Sequence, residues 1–470
     1  MVFVNREREL QQLDAILQAV GPQLVVVYGR RRIGKTTLLT HWMNQRVVGE
    51  HAYWVAHRTS SDVLLRGFSE AVARLLPAQT TGVVFSDWAA ALKQVFALGR
   101  EHRLIVTLDE FPYLVESVPE IPSLLQTLWD QESQRTRIAL VLCGSHYHMM
   151  HHQFLSPRQP LYGRATAVIQ VEEIGPGDLV EFLPRYSPLQ VVETYSVIGG
   201  VPKYLELWDD GSTVLRNVER LVLSPASLFR HEALMLIQDE IAEPRTYLAI
   251  LECLGAGLKA PADLARETGI AINHMGRYLH TLVELRLVRR VLSEDVPDRK
   301  RTRASRYEIR DPFLRFYFHF VYRYPELVEQ NRTKRLAEII RSGFDGYVAR
   351  TGYEELARRA VAEAADRGEL PFEPLYIGRA WNRRVEIDVV AISRRERAVL
   401  LGECKWHRTR MGPEILVSLH QRAGKLKHVE GFKKHYALFS RSGFTKRLQR
   451  QALEDRVLLF EGPDFKPLPA

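Results

Sequence analysis

The sequence predicts a multidomain α/β protein, and three observations support this fold class. The chain has 470 residues, more than one compact core normally holds, and this length suggests about two to four domains. In the first half, short apolar runs typical of buried strands alternate with helical segments. In the second half, three successive helical segments precede a pair of strands, and two further β-rich runs follow near the end.

The composition is that of a soluble globular protein. Hydrophobic residues make up 46% of the chain and charged residues 26%, both close to the usual values. No apolar run approaches the roughly 20 residues that span a bilayer, and the charged start MVFVNREREL differs from a secretory signal. The cysteines Cys143, Cys253 and Cys404 are far apart and form no CxxC pair, which argues against a disulfide framework or a structural zinc site. We therefore expect a cytoplasmic protein with no membrane segment.

Positive charge is concentrated in the second half of the chain. Residues 1–240 carry 22 Lys and Arg against 26 Asp and Glu, whereas residues 241–470 carry 43 against 30, so the net charge changes from −4 to +13. This segregation favours a polyanionic partner such as DNA, with a solvated basic surface as the alternative.

A glycine-rich loop follows the first predicted strand, Leu24 to Tyr28, and leads into a helix. The spacing GxxxxGK[ST] lets backbone N–H groups surround phosphates, while the Lys reaches the β- and γ-phosphates and the next hydroxyl binds Mg²⁺. A turn with glycines at this spacing by chance is the alternative. The pattern predicts an ATP and Mg²⁺ site formed by Gly29, Arg30, Arg31, Arg32, Ile33, Gly34, Lys35, Thr36 and Thr37.

A second buried strand, RLIVTLDEF, ends in two carboxylates. Asp109 is placed to help Thr36 hold Mg²⁺. Glu110 is placed to orient or deprotonate the attacking water, so the sequence favours hydrolysis over nucleotide binding alone.

A third buried strand, IALVLCGSHYHMM, ends where a residue would sense the γ-phosphate or the attacking water, and Ser145 is the predicted sensor. Four histidines follow, at His146, His148, His151 and His152. They lack acidic or Cys companions nearby, so the sequence favours a polar loop over a metal site.

Residues 1 to about 240 resemble the archaeal and bacterial P-loop ATPases of the AAA+/STAND grouping. The resemblance includes FVNREREL, GRRRIGKTT, LDEF, GSHYHMM, PLYGRA and GGVPKYL, in that order. It implies a helical lid after the core, with Asn5 and Arg6 near the adenine. It also implies that Arg164 is an arginine finger or phosphate sensor, which in trans requires a second copy or a partner chain. Pairing with a surface carboxylate is the alternative for Arg164.

The middle of the chain predicts a winged helix. Three helical segments, broken by Gly255, Gly257 and Gly269, precede the strands VRRVL and SRYEIRD and the polar loop between them. The inward face of the third helix is predicted to hold Leu279, Leu282, Val283 and Leu285. Such a helix enters a DNA major groove while the wing contacts phosphate; a protein contact or an ATPase lid is the alternative. The predicted nucleic-acid contacts are Asn273, His274, Arg277, Arg299, Lys300, Arg301 and Arg303.

The stretch EIDVVAISRRERAVLLGECKW predicts a β-hairpin that folds at Arg395 and Glu396. This register places Asp388 opposite Glu403, with Lys405 on the same face because side chains alternate along a strand. Two carboxylates facing each other across a ladder repel, and a Mg²⁺ ion would compensate. Lys405 would position the water or stabilise phosphate charge, an arrangement suited to phosphodiester hydrolysis. Ion pairs at a sheet edge are the alternative.

This Asp, spacer, Glu-x-Lys pattern resembles the PD-(D/E)XK nuclease superfamily over residues 310–470, with Ile387 where the superfamily has Pro. The resemblance implies a further metal ligand on the helix of TGYEELARRA, at Glu354 with Glu355 as its rival. It also implies that the basic helix HQRAGKLKHVEGFKK lies beside the DNA backbone, with Gln421 as an active-site residue.

The predicted organisation is a P-loop AAA+ type ATPase core at 1–172, a helical lid at 173–240, a winged helix at 241–309 and a restriction-endonuclease-like α/β domain at 310–470. Two functions follow. One is an ATP-driven enzyme that binds and cleaves DNA. The other is a signalling switch or scaffold of STAND type whose nuclease-like domain does not cut.

Overall fold

The computed structural model describes residues 3–46, 50–75, 84–101, 103–146, 149–150, 153–154, 156–299, 302, 305–463 and 465–467. None of the helices in these ranges has the length and apolar character needed to cross a membrane. The chain divides into two compact units: residues 1–174, 201–203 and 239–242 form the first, and residues 175–200, 204–238 and 243–470 form the second.

The first unit is built around a five-stranded parallel sheet of order β2-β3-β4-β1-β5. Its elements are α1 (Glu7–Gln18), β1 (Gln23–Tyr28), α2 (Lys35–Met43), β2 (His51–Val55), α3 (Ser61–Ala73), α4 (Trp88–Glu101), β3 (Leu104–Asp109), α5 (Phe111–Ser117), α6 (Ile121–Glu132), β4 (Ile138–Gly144) and β5 (Ala167–Gln170).

The three central strands are mostly apolar and are buried along their whole length. Every residue of β1, β3 and β4 is buried, as expected for a parallel sheet covered on both faces. Because all strands run in the same direction, the loops after β1, β3 and β4 meet at one edge of the sheet. The sequence prediction of these three strands is confirmed, and the edge brings the predicted nucleotide residues together.

The second unit begins with helices. They are α7 (Leu179–Phe182), α8 (Pro188–Ile198), α9 (Pro202–Leu207), α10 (Val214–Asn217) and α11 (Leu228–Glu240), of which α9 and α11 have residues in both units. The helix-turn-helix region follows as α12 (Arg245–Gly255), α13 (Pro261–Thr268), α14 (Ile272–Glu284), β6 (Val288–Leu292) and β7 (Ser305–Ile309). Four further helices lead to the last sheet: α15 (Pro312–Phe316), α16 (Pro325–Glu329), α17 (Thr333–Val348) and α18 (Glu354–Asp366).

The predicted winged helix is confirmed as three helices and an antiparallel hairpin. Of the four residues expected to face inward from the third helix, Leu279, Leu282 and Leu285 are buried and Val283 is partly buried. Leu285 directly follows the last residue of α14.

The wing does not project freely from the fold. Glu294 N–H donates to the carbonyl of Arg379 at 2.9 Å, and Trp381 N–H donates to Ser293 Oγ at 2.8 Å. These bonds hold the start of the wing loop against the strand Tyr376–Trp381, which lies at the edge of the last sheet.

That last sheet has six strands in the order β13-β12-β11-β10-β9-β8. Its elements are β8 (Tyr376–Trp381), β9 (Glu386–Ser393), β10 (Ala398–Lys405), α19 (Pro413–Ala423), β11 (Lys433–Ser440), α20 (Lys446–Asp455), β12 (Leu458–Glu461) and β13 (Lys466–Pro467). The β8, β9 and β10 strands are antiparallel to one another, whereas β10, β11 and β12 are parallel and are joined by helices.

The β9–β10 hairpin has the predicted register over five pairs, from Ala398 opposite Ser393 to Gly402 opposite Val389. The regular ladder stops before Asp388 and Glu403. On the other side of β9, the register with β8 shifts between Gly378 and Ala380. A bulge in β9 therefore lies at Asp388, and bulges of this kind redirect side chains.

Candidate functional site

The loop between β1 and α2 has the backbone shape of a phosphate cradle. Gly34 has φ of +90° at the start of α2, a conformation that favours glycine. A side chain at Gly29 would clash with the carbonyl oxygen of Val171. Lys35 is buried, and its Nζ donates to the carbonyls of Gly29 at 2.9 Å and Arg30 at 3.1 Å. The amine is thus folded over the loop that would hold the phosphates.

The predicted Mg²⁺ ligands are in contact. Thr36 Oγ1 donates to Asp109 Oδ2 at 2.8 Å, and Asp109 is buried at the end of β3. A hydroxyl and a carboxylate are hard oxygen donors of the kind Mg²⁺ prefers, so these residues fit the ion. The structure brings together the two ligands that the sequence predicted.

The predicted base and sensor also meet. Ser145 Oγ donates to the Glu110 carboxylate, at 2.9 Å to Oε2 and 3.2 Å to Oε1. Glu110 has φ of +51°, a conformation that few non-glycine residues adopt and that is often found at active sites. The backbone N–H of Glu110 donates to Asp109 Oδ1 at 2.8 Å. This hydrogen bond fixes the carboxylate of Asp109 relative to the backbone of Glu110.

Sequence reasoning missed one residue of this site. The hydroxyl of Tyr53, on β2, donates to Asp109 Oδ2, the oxygen that also accepts from Thr36. Burial, and then the charge of Asp109, raises the pKa of Tyr53 well above its usual range. The alternation of side chains along β2 could have indicated that Tyr53 lies near Asp109, because β2 pairs with β3. Tyrosine is not part of the phosphate-loop motif, so the motif gave no reason to select it.

The remaining nucleotide-site residues are arranged around the loop. Arg6 is buried and has φ of +94°, and its Nη2 donates to the carbonyl of Ile33 at 3.0 Å. Asn5, next to it, also has a positive φ. Arg30 Nη1 lies 3.7 Å from the carboxylate of Glu173. The FVNREREL segment thus reaches the phosphate loop, whereas its contact with adenine stays a prediction.

Arg31 reaches the end of helix α11, where it forms an ion pair with Asp239. Arg164, in contrast, makes a two-pronged pair with Asp130, at 2.9 and 2.7 Å. This is the alternative that the sequence left open for Arg164, and its role as a finger stays a prediction. Of the histidines after β4, His146 is buried and stacks edge-on with Tyr113; His148, His151 and His152 lie outside the described residues.

The predicted DNA face of α14 is solvent-exposed. Asn273, His274 and Arg277 are exposed on one side of the helix, and the Arg277 guanidinium lies 5.2 Å from the Tyr278 ring. In the wing, Arg299 pairs with Glu294 and lies 4.5 Å from the ring of Tyr376. Arg299 therefore contributes to the contact with β8, and its phosphate contact stays a prediction. Three other predicted wing contacts, Lys300, Arg301 and Arg303, lie outside the described residues.

In the last sheet, the bulge in β9 brings Asp388 against β10. Asp388 Oδ2 accepts from the N–H of Cys404 at 3.0 Å, so a side chain takes the place of a ladder bond. Burial, and then the negative charges of Glu354 and Glu403, raise the pKa of Asp388 well above its usual range. Glu354 and Glu403 are thus each close enough to repel Asp388.

Glu403 is buried between two cations. Lys405 Nζ donates to its Oε1 at 2.7 Å, on the strand face that the sequence predicted. Arg422 Nη2 lies 2.6 Å from Oε2, although Oε2 has no partner of hydrogen-bond geometry among the described groups. Sequence reasoning had proposed Gln421 as the helical active-site residue, but Gln421 is exposed, so Arg422 is the residue of α19 that reaches the site.

The structure distinguishes the two rival glutamates of α18. Glu355 Oε2 accepts from Arg289 at 2.9 Å and lies 3.5 Å from Arg315. Glu354 lies instead 3.7 Å from Arg358, whose Nη1 donates to the carbonyl of Asp388 at 2.8 Å. Burial raises the pKa of Glu354 to about 6, against the lowering charges of Arg358 and Arg379. Glu354 is the member of the pair that interacts with Asp388.

These carboxylates have the chemistry of a divalent-metal site but not its arrangement. Within the part of the chain that the structure describes, no three Asp, Glu, His or Cys side chains are grouped so that they could hold one metal ion. The negative charge of these carboxylates is balanced by cations of the protein. Lys405 and Arg422 pair with Glu403, and Arg358 pairs with Glu354. The sequence had assigned this role to Mg²⁺.

Three family models match parts of the chain. Residues 3–207 match an ATPase domain predominantly from Archaea, and residues 247–292 match the IclR helix-turn-helix domain. These two matches confirm a P-loop ATPase core and a helix-turn-helix domain. Residues 317–415 match archaeal and bacterial proteins of unknown function, which leaves the activity of the last sheet unassigned.

An uncharacterized protein of Methanocaldococcus jannaschii, MJECL04, is 30% identical over 99% of this chain and 100% of its own length. The uncharacterized ATP-binding protein MJ0423 of the same organism is 35% identical over 10% of this chain and 81% of its own length. Among solved structures, the Walker-type ATPase PABY2304 of Pyrococcus abyssi has a TM-score of 0.52 and 19% identity, over 67% of this chain and 96% of its own. This likeness supports the fold of the ATPase core.

Proposed function

We propose that this chain, which belongs to the same family as the uncharacterized Methanocaldococcus jannaschii protein MJECL04, is an ATPase whose nucleotide cycle controls its binding to DNA. The observation that carries the proposal is the meeting of three strand ends at one sheet edge. Three features lie at the ends of these adjacent strands. They are Lys35 bent over the phosphate loop, the Thr36–Asp109 contact and the Ser145–Glu110 contact.

Each residue has a definite task in this proposal. The loop N–H groups and Lys35 bind the phosphates, and Thr36 and Asp109 would hold Mg²⁺, which neutralises phosphate charge. Glu110 accepts a proton from the attacking water or orients it, and Ser145 fixes the carboxylate in place. The tyrosine hydroxyl of Tyr53 holds Asp109 until nucleotide and ion bind.

The nucleotide step is tested by replacing the proposed base. In Glu110→Gln we expect ATP binding close to that of the wild type and turnover lower by about 10²- to 10⁴-fold, the usual contribution of a general base. Binding is measured with a fluorescent ATP analogue and turnover by phosphate release. Lys35→Ala, which removes a phosphate contact, should lose both. Full turnover in Glu110→Gln would remove Glu110 from the mechanism.

DNA is the proposed partner of the helix-turn-helix domain. The exposed face of α14 carries Asn273, His274 and Arg277, side chains that read bases or contact phosphates, and the second half of the chain has a net charge of +13. Fluorescence anisotropy with duplex DNA should show different affinities with ATP and with ADP in the Glu110→Gln variant. Equal affinities in the two states would show that nucleotide does not control DNA binding.

Metal-dependent phosphodiester cleavage is the second candidate function. One observation favours it: the bulge in β9 places Asp388 where Glu354 and Glu403 both repel it, a crowding that a bound divalent ion would relieve. Since these carboxylates are not grouped around one point in the described part of the chain, Asp388, Glu403 and Glu354 would have to move together as the ion binds, and Lys405 would contact the phosphate. The test is incubation of single-stranded, duplex and branched DNA with Mg²⁺ or Mn²⁺, with and without ATP. Cleavage by the wild type that disappears in Asp388→Asn and Glu403→Gln supports this function.

If the wild type cuts none of these substrates, the STAND-type switch or scaffold becomes the better assignment. In that case Asp388→Asn should keep full biological activity while Lys35→Ala loses it. An action of Arg164 in a second copy of the chain is also part of the proposal, and it predicts that Arg164→Ala lowers turnover only when ATP-bound chains associate. A cytoplasmic location is consistent with these partners.

A further inference from the structure

The turn between β8 and β9 carries two exposed arginines on a rigid base. Asn382 Oδ1 accepts from the N–H groups of Arg384 at 2.8 Å and Val385 at 3.1 Å, and Asn382 N–H donates to the carbonyl of Val385 at 2.9 Å. These bonds close the turn on itself. The side chains of Arg383 and Arg384 are exposed, so the turn presents two positive charges from a fixed backbone.

The same turn is tied to the end of helix α19. Asn382 Nδ2 donates to the carbonyl of Lys425 at 3.0 Å, and the side chains of Lys425 and Lys427 are exposed. The segment from Gln421 to Lys434 holds five Lys and Arg residues and one Glu. Two separate elements of the sheet domain therefore bring positive charge to one place.

These cations differ from the other basic residues of the domain in what they contact. Arg289, Arg358 and Arg379 each pair with a carboxylate inside the fold. Among the described residues, no ion pair involves Arg383, Arg384, Lys425 or Lys427. Exposed Lys and Arg side chains that pair with no carboxylate are available to contact the phosphates of DNA.

The position of this surface links the candidate site to the wing. Arg422, which reaches Glu403, also donates to the carbonyl of Glu386 at 3.0 Å. On the other side, Arg306 of β7 lies 4.4 Å from the ring of Trp381 and pairs with Glu386 at 2.9 Å. The turn thus lies between the base of the wing and the carboxylates of the last sheet.

We propose that Arg383, Arg384, Lys425 and Lys427 form a second DNA-binding surface, the turn surface, which contacts the phosphates of a duplex whose bases are read by α14. This inference rests on the proposed DNA binding. It adds the path that the duplex follows beyond α14. It places the sugar-phosphate backbone beside the carboxylates of Asp388 and Glu403 rather than along the wing loop, whose start is bonded to β8.

The test measures the salt dependence of DNA affinity in the full-length protein. The variant Arg383→Gln, Arg384→Gln, Lys425→Gln is compared with the wild type by anisotropy of a labelled duplex over a series of KCl concentrations. We expect the slope of log affinity against log salt to become shallower by roughly 0.9 per lost phosphate contact, thus by about 2.7 in total. The control is Arg332→Gln, Lys334→Gln, Arg335→Gln, which removes three exposed cations at the start of α17 in the same unit, of which Arg335 pairs with Glu338. Its slope should stay at the wild-type value.

The outcomes separate this inference from the function on which it rests. If the wild type binds no DNA, the proposed function fails. If the wild type binds, and Arg277→Gln weakens binding while the turn variant keeps the wild-type slope, the turn surface is overturned and the proposed function stands. An equal decrease of the salt slope in the turn and control variants would also overturn the turn surface. The net charge of the protein, rather than a specific surface, would then explain both decreases. A changed slope for an RNA duplex with none for DNA would overturn DNA as its ligand.

Discussion

At the scale of single residues, the hydrogen bond from Ser145 to Glu110 allows a test of the proposed base. Ser145 is buried and donates to both oxygens of a carboxylate that has a strained backbone. In Ser145→Ala we expect kcat to fall about 10- to 100-fold, the effect of a small misplacement of a catalytic group, with ATP affinity unchanged. Steady-state phosphate release and nucleotide titration measure the two quantities. An unchanged kcat would show that Glu110 needs no support from Ser145.

Glu193 on α8 gives a residue-scale prediction for pH. Burial raises its pKa to about 7, with Arg441 lowering it and Asp345 raising it. A carboxyl group whose pKa is higher in the folded state than its usual value of 4.5 binds more protons when folded, so stability falls as pH rises from about 4.5 through 7. We therefore expect the melting temperature of Glu193→Gln to exceed that of the wild type above pH 7, and the difference to vanish near pH 4.5. A difference independent of pH would show that ionisation of Glu193 is not its cause.

Single residues also mark the limit of what the sequence predicts. Lys35 and Thr36 were predictable because phosphate chemistry fixes their spacing within the loop, and Asp109 was predictable because it ends a buried apolar strand. Arg422 and Tyr53 were not predictable, because each lies on a different element from its partner. Only the tertiary structure brings Arg422 to Glu403 and Tyr53 to Asp109. Gln421 and Arg422 are neighbours, and only the rotation of the helix on the sheet decides which of them turns inward.

At the scale of elements, the pair between Arg31 and Asp239 connects the phosphate loop with the end of α11. Phosphate and Asp239 would compete for the same guanidinium, so Asp239→Asn should free Arg31 and tighten ATP binding. The pair is partly exposed, and such pairs contribute about 0.2–1 kcal/mol, which corresponds to an affinity gain of up to about fivefold. Titration with a fluorescent ATP analogue checks this, with Asp263→Asn, which frees the exposed Arg266, as the control. Unchanged affinity in Asp239→Asn would make the pair a structural link only.

The β9–β10 hairpin shows how far a strand pattern can be followed. The polar turn at Arg395 and Glu396 predicted the register of five pairs, because the position of a hairpin turn decides which residues pair along the two strands. The bulge at Asp388 depends on β8, the other neighbour of β9. The sequence pattern of the hairpin alone does not show that β8 pairs with β9. For the same reason the docking of the wing on β8 could not be read from the wing sequence.

At the scale of the whole second unit, a buried network of charges joins the helix-turn-helix domain to the last sheet. Glu308 of β7 accepts ion pairs from Lys259 at 2.9 Å, from Arg289 at 3.5 Å and from Arg379 of β8. Arg289 in turn pairs with Glu355, the neighbour of Glu354. The network runs from the helix-turn-helix region to the helix that carries a candidate metal ligand.

This network predicts that Glu308 stabilises the junction strongly. Burial alone would raise the pKa of Glu308, but the charges of Arg379, Lys259 and Arg289 hold it well below its usual range. Glu308→Gln leaves buried cations without their counter-charge, and we expect the free energy of unfolding to fall by about 3–5 kcal/mol at neutral pH. The stability from the depressed pKa is fully present above the ordinary value of about 4.5 and is lost progressively as pH falls toward the folded pKa, so the difference from the wild type should shrink below pH 4.5. Urea unfolding at several pH values measures both effects, and Glu369→Gln, which breaks the exposed pair with Arg367, should change stability little. A Glu308→Gln protein as stable as the Glu369→Gln protein would show that the two domains are held together by packing rather than by these charges.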